Sequence, residues 1–149
     1  MEDFKKVAEI QVTYKPAIGN KPVVLSCLDA YTELVEFFPK NTIALQESFL
    51  VMYLNRASRV IGVYPLSTGG MTGTVADIRL IIATALKTAA SRIILSHNHP
   101  SGNLSPSRQD EELTKRIKDA CKLFDIDVVD HIIISPDRTY MSMADEGLI

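Results

Sequence analysis

The sequence predicts an α/β layered domain with a mixed sheet. Segments of strand character alternate with segments of helical period along most of the chain. Residues 47–55, ESFLVMYLN, are apolar on both alternating sets, which suits a central strand covered on both faces. At 149 residues, with 46% hydrophobic and 23% charged content, the chain has the size and balance of a soluble domain with one continuous core.

Each element has a local signal. Residues 8–14, AEIQVTY, alternate as a strand, and KPAIGNKP at 15–22 carries a glycine and two prolines and reads as a loop. SCLDAYTELVEFF at 26–38 reads as a helix: Ser26 with Asp29 resembles a capping box, and Leu28, Tyr31, Val35 and Phe38 recur at helical spacing. The central strand 47–55 turns through NRAS into RVIGVYPLS, 59–67, as its hairpin partner. TGGMTGT at 68–74 lacks the Gly-Lys-Ser/Thr ending and the G-x-G-x-x-G spacing of phosphate loops, and reads as a flexible connection. VADIRLIIATALKTAA, 75–90, is a strongly apolar helix, followed by the short buried strand RIILS, 92–96. SPSRQDEELTKRIKDACKLF, 105–124, is the second long helix, with Ser105 suited to its cap and Pro106 to its first position. IDVVDHIIIS, 126–135, and RTYMSM, 138–143, close the chain as a strand pair.

Composition narrows the function classes. A formal net charge of −2 and a pI near 5.9 argue against unaided nucleic-acid binding. Lys115, Arg116 and Lys118 read as a solvated helix face. Cys27 and Cys121 lie far apart in apolar-patterned segments and read as buried free thiols of a reducing compartment. The opening MEDFKKVAEI is charged throughout, and no apolar run approaches a membrane span, so a soluble cytoplasmic protein with no membrane partner is expected.

The chemistry concentrates in ILSHNHPSGNLSPSRQDEEL, 94–113. A strand places residues i and i+2 on one face, so His97 and His99 can point the same way while Asn98 points elsewhere. Two imidazoles at a strand end are a natural half of a metal site, but His-x-His on its own is a weak signal that a hydrogen-bonded polar turn also explains. Winding the next helix at about 100° per residue puts Leu113, Ile117, Ala120, Cys121 and Phe124 on one stripe. Asp110 falls near the centre of that stripe, where an unpaired carboxylate is costly and needs a cation. A metal shared with His97 and His99 satisfies it, as would an arginine or a backbone amide. Three such ligands leave a fourth zinc position for water, whose pKa zinc lowers, and a nearby carboxylate can take the proton. Ser107, one turn before Asp110, could donate to a developing oxyanion or cap the first turn. Glu47, at the start of the central strand, is a candidate carboxylate that spacing alone does not distinguish from a solvated one. His131, inside VVDHIII, reads as a core histidine bonded to Asp130 or a backbone carbonyl. The alternative is a support for the histidine loop; in neither case is it a ligand.

SHNHPSG followed by PSRQD resembles the JAMM signature of JAB/MPN metalloproteases: His-x-His, serine eight residues on, aspartate three beyond. HNHPSGN, DHIII and the ending YMSMADEGLI resemble the RadC family in particular, and the likeness reaches upstream through ESFLVMYLNR. The resemblance implies a cytidine-deaminase-like three-layer α/β/α sandwich carrying a zinc hydrolase site. It implies that His97, His99 and Asp110 ligate Zn²⁺, that Glu47 is the acid/base, and that Ser107 stabilises the tetrahedral intermediate. It divides the chain into a strand/helix extension at 1–40 packed on a RadC-like JAB domain at 41–149. The expected substrate is a peptide or protein cleaved at a peptide or isopeptide bond. Two departures stand out. No helix-hairpin-helix module is legible before Glu47, and Asp77-Ile78-Arg79 replaces the His-Pro found before the helix arginine in some members. The competing readings are a DNA-repair role, as nuclease or as accessory factor reaching DNA only indirectly, and a scaffold without chemistry. The retained ligand set speaks against the scaffold.

Overall fold

The structure, a computed structural model, describes residues 7–69 and 75–149. Its elements in chain order are α1 (Cys27–Leu34, continued by a 3₁₀ turn at Val35–Phe37), β1 (Ser48–Leu54), β2 (Val60–Thr68), α2 (Ile78–Lys87), β3 (Arg92–Asn98), α3 (Arg108–Lys122), β4 (Asp127–Ile134) and β5 (Tyr140–Ser142). The strands form one mixed sheet in the order β2-β1-β3-β4-β5. β1 runs antiparallel to β2 and β3, β3 and β4 are parallel, and β5 returns antiparallel to β4.

Helices cover both faces, so the domain has the expected three layers. On one face Phe49, Val51, Tyr53, Ile93 and Leu95 pack against Ile81 and Ala85 of α2 and Ile117 and Cys121 of α3. On the other, Leu50, Met52, Leu54, Ile94, Ile132 and Ile134 pack against Ala30, Leu34 and Phe38. All seven residues of β1 are buried, as its doubly apolar pattern predicts. Burial pushes the Cys121 thiol up to about 11, so it is an unreactive core side chain. Both cysteines are free.

β4 carries a bulge: Ile93 pairs with Val128 and Ile94 with Asp130, leaving Val129 unpaired and 42% exposed. The extra residue reverses the alternation beyond it. His131 therefore faces α2 and α3, while Asp130 faces the α1 side with Ile132 and Ile134. Because β3 and β4 are parallel, their C-terminal ends lie side by side, with His97 opposite Ile133 and Asn98 opposite Ile134. The N-terminal end of antiparallel β1 meets them there, with Phe49 opposite His97. The carboxyl ends of parallel strands are the usual place for a site in a layered α/β domain.

Several expectations need correction. Residues 8–14 form no strand and lie exposed; alternation alone cannot make one without an edge to pair with. Of the expected α1 stripe, Phe38 is buried and Tyr31 packs against the same cluster, but Leu28 is 56% exposed, and Ala30 and Leu34 form the buried face of the helix. In α3 Thr114 is buried with Ile117 and Cys121, whereas Phe124 lies past the helix end and is 48% exposed. The cap of α3 is Ser107, not Ser105: only Ser107 has an acidic residue at the third helical position to complete a capping box. Asp77 caps α2, its carboxylate accepting from the Arg79 and Leu80 amides, which gives the departure at 77–79 a structural reason. Of the glycine-rich connection, residues 70–74 lie outside the described residues.

Asp130, 6% exposed, anchors the C-terminal segment by accepting from the His131 and Ala144 amides and the Ser142 hydroxyl. Burial raises its carboxyl above the ordinary range against those three donors. The folded state thus holds this proton more tightly than the unfolded chain. Its contribution favours folding at pH below the unfolded carboxyl value and declines as pH rises through the raised folded one. Asp130→Asn, uncharged throughout, is expected to change stability at neutral pH by less than about 1 kcal/mol in urea unfolding. Asp130→Ala, which strands three donors, is expected to cost about 2–4 kcal/mol.

Candidate metal centre

β3 extends two residues further than expected, so His97 lies in the strand and is 2% exposed, its ring parallel to that of Phe49 across the sheet. His99 lies just past the strand, where its amide still donates to the Ile134 carbonyl at 2.9 Å. The chain then reverses through His99-Pro100-Ser101-Gly102, closed by the Gly102 amide on the His99 carbonyl at 3.0 Å. Gly102 has φ +84°, a left-handed conformation in which a side chain would be strained. The turn brings the Asn103 carbonyl back to His99 Nδ1 at 2.6 Å. A carbonyl only accepts, so Nδ1 carries the proton and the neutral ring directs a bare Nε2 lone pair inward.

Asp110 is placed by the start of α3. Its amide donates to the Ser107 hydroxyl at 3.0 Å, and its Oδ2 accepts from the Ser107 amide at 2.8 Å. This capping box fixes the carboxylate while leaving it turned toward the histidines, with Oδ1 3.4 Å from His97 Nε2 and Oδ2 3.3 Å from His99 Nε2. The two imidazole Nε2 atoms are 2.9 Å apart. Asp110 is half-buried at the rim, its side chain 18% exposed, rather than sunk in the core. Among the described residues, His97, His99 and Asp110 form a group whose donor atoms lie within 4.8 Å of one another and which could hold a metal ion.

The electrostatics agree with that geometry. Burial pushes the Asp110 carboxyl up, but its contacts with His97 and His99 and the Ser107 amide outweigh burial and hold it well below the usual carboxylate range. His99 is shifted up, chiefly by Asp110 and against its own burial, and the charge of Glu47 adds to the shift. Both shifts describe a place where positive charge is stabilised. The donor chemistry and spacing suit a metal: tetrahedral zinc with bonds of 2.0–2.1 Å separates neighbouring ligand atoms by roughly 3.3 Å.

Glu47 is half-buried, one residue before β1, and lies outside the group of three, though its field reaches His99. Ser107 is exposed, and accepting the Asp110 amide leaves its own hydroxyl proton for another partner. The side chain of His131 does not bond Asp130 or a backbone carbonyl. It lies fully buried between His97 Nδ1, at 2.7 Å from its Nε2, and Thr114 Oγ1, at 2.6 Å from its Nδ1. Burial, reinforced by His97, drives its pKa far below the ordinary histidine value, so it is a neutral imidazole.

Two contributors escape a reading of the sequence. Thr114 is the one polar side chain on the buried stripe of α3, a signal that the apolar pattern hides. Asn98, fully buried on the opposite face of β3, accepts from the Ser48 amide at 2.7 Å. It donates to the Ile43 and Gln46 carbonyls at 2.8 and 2.9 Å. It thereby ties the segment carrying Glu47 to the strand carrying the histidines.

A mixed sheet between helical layers, with His-x-His at the end of a central strand and Asp in the first turn of the next helix, defines a JAB/MPN-type domain. Residues 26–148 match the RadC-like JAB domain family, and the chain belongs to that family. It is 44% identical over 102 residues to a UPF0758 protein of Flavobacterium johnsoniae, covering 68% of this chain and 44% of that protein. A UPF0758 protein of Porphyromonas gingivalis is 47% identical over 104 residues, 70% of this chain and 46% of its own length. One from Syntrophotalea carbinolica is 32% identical across 97% of this chain and 65% of its own. The chain thus spans less than half the length of the first two relatives.

Asn98→Ala is expected to leave three backbone groups near β1 without partners and to destabilise the protein by about 2–4 kcal/mol. Hydrogen exchange is the more selective check: the Ser48 amide should lose protection while the Leu95 and Ile93 amides keep theirs.

Proposed function

We propose that this chain is a zinc-dependent hydrolase of the JAMM type that cleaves peptide or isopeptide bonds of a protein or peptide substrate. The observation that carries the reading is the convergence of electron-rich atoms: His97 Nε2 and His99 Nε2 lie 2.9 Å apart, and Asp110 presents Oδ1 to the first at 3.4 Å and Oδ2 to the second at 3.3 Å. Such a cluster is repulsive unless a cation joins it, and two imidazoles with one carboxylate are the donors of a catalytic zinc site with an open fourth position. His97, His99 and Asp110 would hold the ion. When bound, zinc supplies Lewis acidity that brings the deprotonation of water toward neutral pH.

The chain's own residues supply the rest. Glu47, held beside the ligand strand by Asn98, takes the proton of the attacking water and later delivers one to the leaving amine. The Ser107 hydroxyl, oriented by its bond from the Asp110 amide, donates to the oxyanion that develops on the substrate carbonyl. Ser107 thus combines both roles weighed for it, helix cap and oxyanion donor, since accepting one bond and donating another use different parts of the hydroxyl.

Native protein is expected to take up about one zinc per chain by elemental analysis, and His97→Ala or Asp110→Ala to lose it. Glu47→Gln should keep the zinc yet lower turnover of an isopeptide-linked test substrate by roughly 10²–10⁴-fold. A native protein that takes up no zinc, or a Glu47→Gln variant as active as the parent, would contradict this function.

A further inference from the structure

We infer that His131 and Thr114 are positioning residues that fix the imidazole of His97 in the one neutral form able to ligate a metal. The inference deepens the metal-centre reading and rests on it. It starts from an atom that can only accept, the backbone carbonyl of Asp110. Thr114 Oγ1 lies 2.6 Å from that carbonyl and 2.6 Å from His131 Nδ1. A hydroxyl has one proton to place. Given to the imidazole, it would leave two oxygen lone pairs facing each other at hydrogen-bond distance. Given to the carbonyl, it leaves the hydroxyl oxygen to accept from His131 Nδ1–H, and both contacts are satisfied.

The rest of the chain follows without further choice. The His131 ring is fully buried and, among the described residues, hydrogen-bonds only Thr114 Oγ1 and His97 Nδ1, with no carboxylate to hold a second proton. With its proton on Nδ1 it presents a bare Nε2, and His97 Nδ1, at 2.7 Å, must donate to it. His97 then has its lone pair at Nε2, the nitrogen that faces His99 Nε2 and Asp110. Reversing the chain would put a proton on His97 Nε2, where the metal must bind. Thr114 and His131 are both fully buried, so water is excluded from taking over either contact. The relay also closes on itself: it begins at the main chain of Asp110 and ends at the ring that faces the Asp110 side chain. Three elements, β3, β4 and α3, are thereby locked around two of the three ligands. His99 is set independently by the Asn103 carbonyl, so each imidazole has its own partner fixing which nitrogen is bare.

Two readouts test this, neither of them turnover. One is the ¹⁵N spectrum of the histidine rings in metal-free protein at alkaline pH; the other is zinc affinity by chelator competition. The parent and Thr114→Ser should show His97 as a single Nδ1–H form and bind zinc alike. Thr114→Val and His131→Phe should lose that single form and bind zinc roughly 10–100-fold more weakly. If both variants keep the Nδ1–H form and the parent's affinity, the inference is overturned. It is also overturned if Thr114→Ser loses as much as Thr114→Val, since packing rather than the hydroxyl would then be responsible. Thr114→Val, a hydroxyl-for-methyl exchange, carries the test should His131→Phe fail to fold. A parent that takes up no zinc while His97 remains Nδ1–H would overturn the metal reading and leave the tautomer lock standing.

Discussion

Asn98 sits between the two histidines with its carboxamide buried on the far side of β3, and all three hydrogen bonds it makes there go to the backbone of residues 43–48. Its orientation is unambiguous, because the two carbonyls can only accept and the Ser48 amide can only donate. This contact makes one strand serve two purposes. The side chains of His97 and His99 point to one side, into the candidate metal centre, while the residue between them grips the segment that carries Glu47. A buried amide left unpartnered would be costly, so strand, segment and site stand or fall together.

The centre itself is assembled from ordinary devices of secondary structure. A capping box that any helix might use also aims a carboxylate. A glycine-closed turn of the kind that ends many strands also returns a carbonyl to a histidine ring. The β4 bulge turns His131 toward the site and Asp130 away from it, so one residue is joined to the ligands and its neighbour to the C-terminal segment. The arrangement of the three candidate ligands is therefore a product of local folding, set by a strand end, a turn and a helix cap.

What the sequence makes legible follows the range of the interaction. The doubly apolar β1, the capping box of α1 and the spacing of His97, His99 and Asp110 are local patterns, and each is present in the structure. Asn98, Thr114 and His131 act across separations of 17 to 55 residues, and no periodicity in one segment reports on a partner in another. Two serines flank Pro106, so the cap of α3 is ambiguous between Ser105 and Ser107, and only the acidic residue three positions after Ser107 decides for the latter. Residues 8–14 show the opposite failure: a strand-like pattern in exposed chain that pairs with no strand of the sheet. Glu47 is singled out only by the family resemblance, and the segment that carries it is tied to the histidine strand by the long-range bonds of Asn98.

Everything proposed for this site requires that two bare imidazole nitrogens and one carboxylate share a single cation. X-ray absorption at the zinc edge, on protein loaded with one equivalent, tests it most directly. A first shell of nitrogen and oxygen only is expected, at roughly 2.0–2.1 Å, with the outer scattering of two imidazoles. Sulfur in the first shell, or scattering from fewer than two imidazoles, would contradict it.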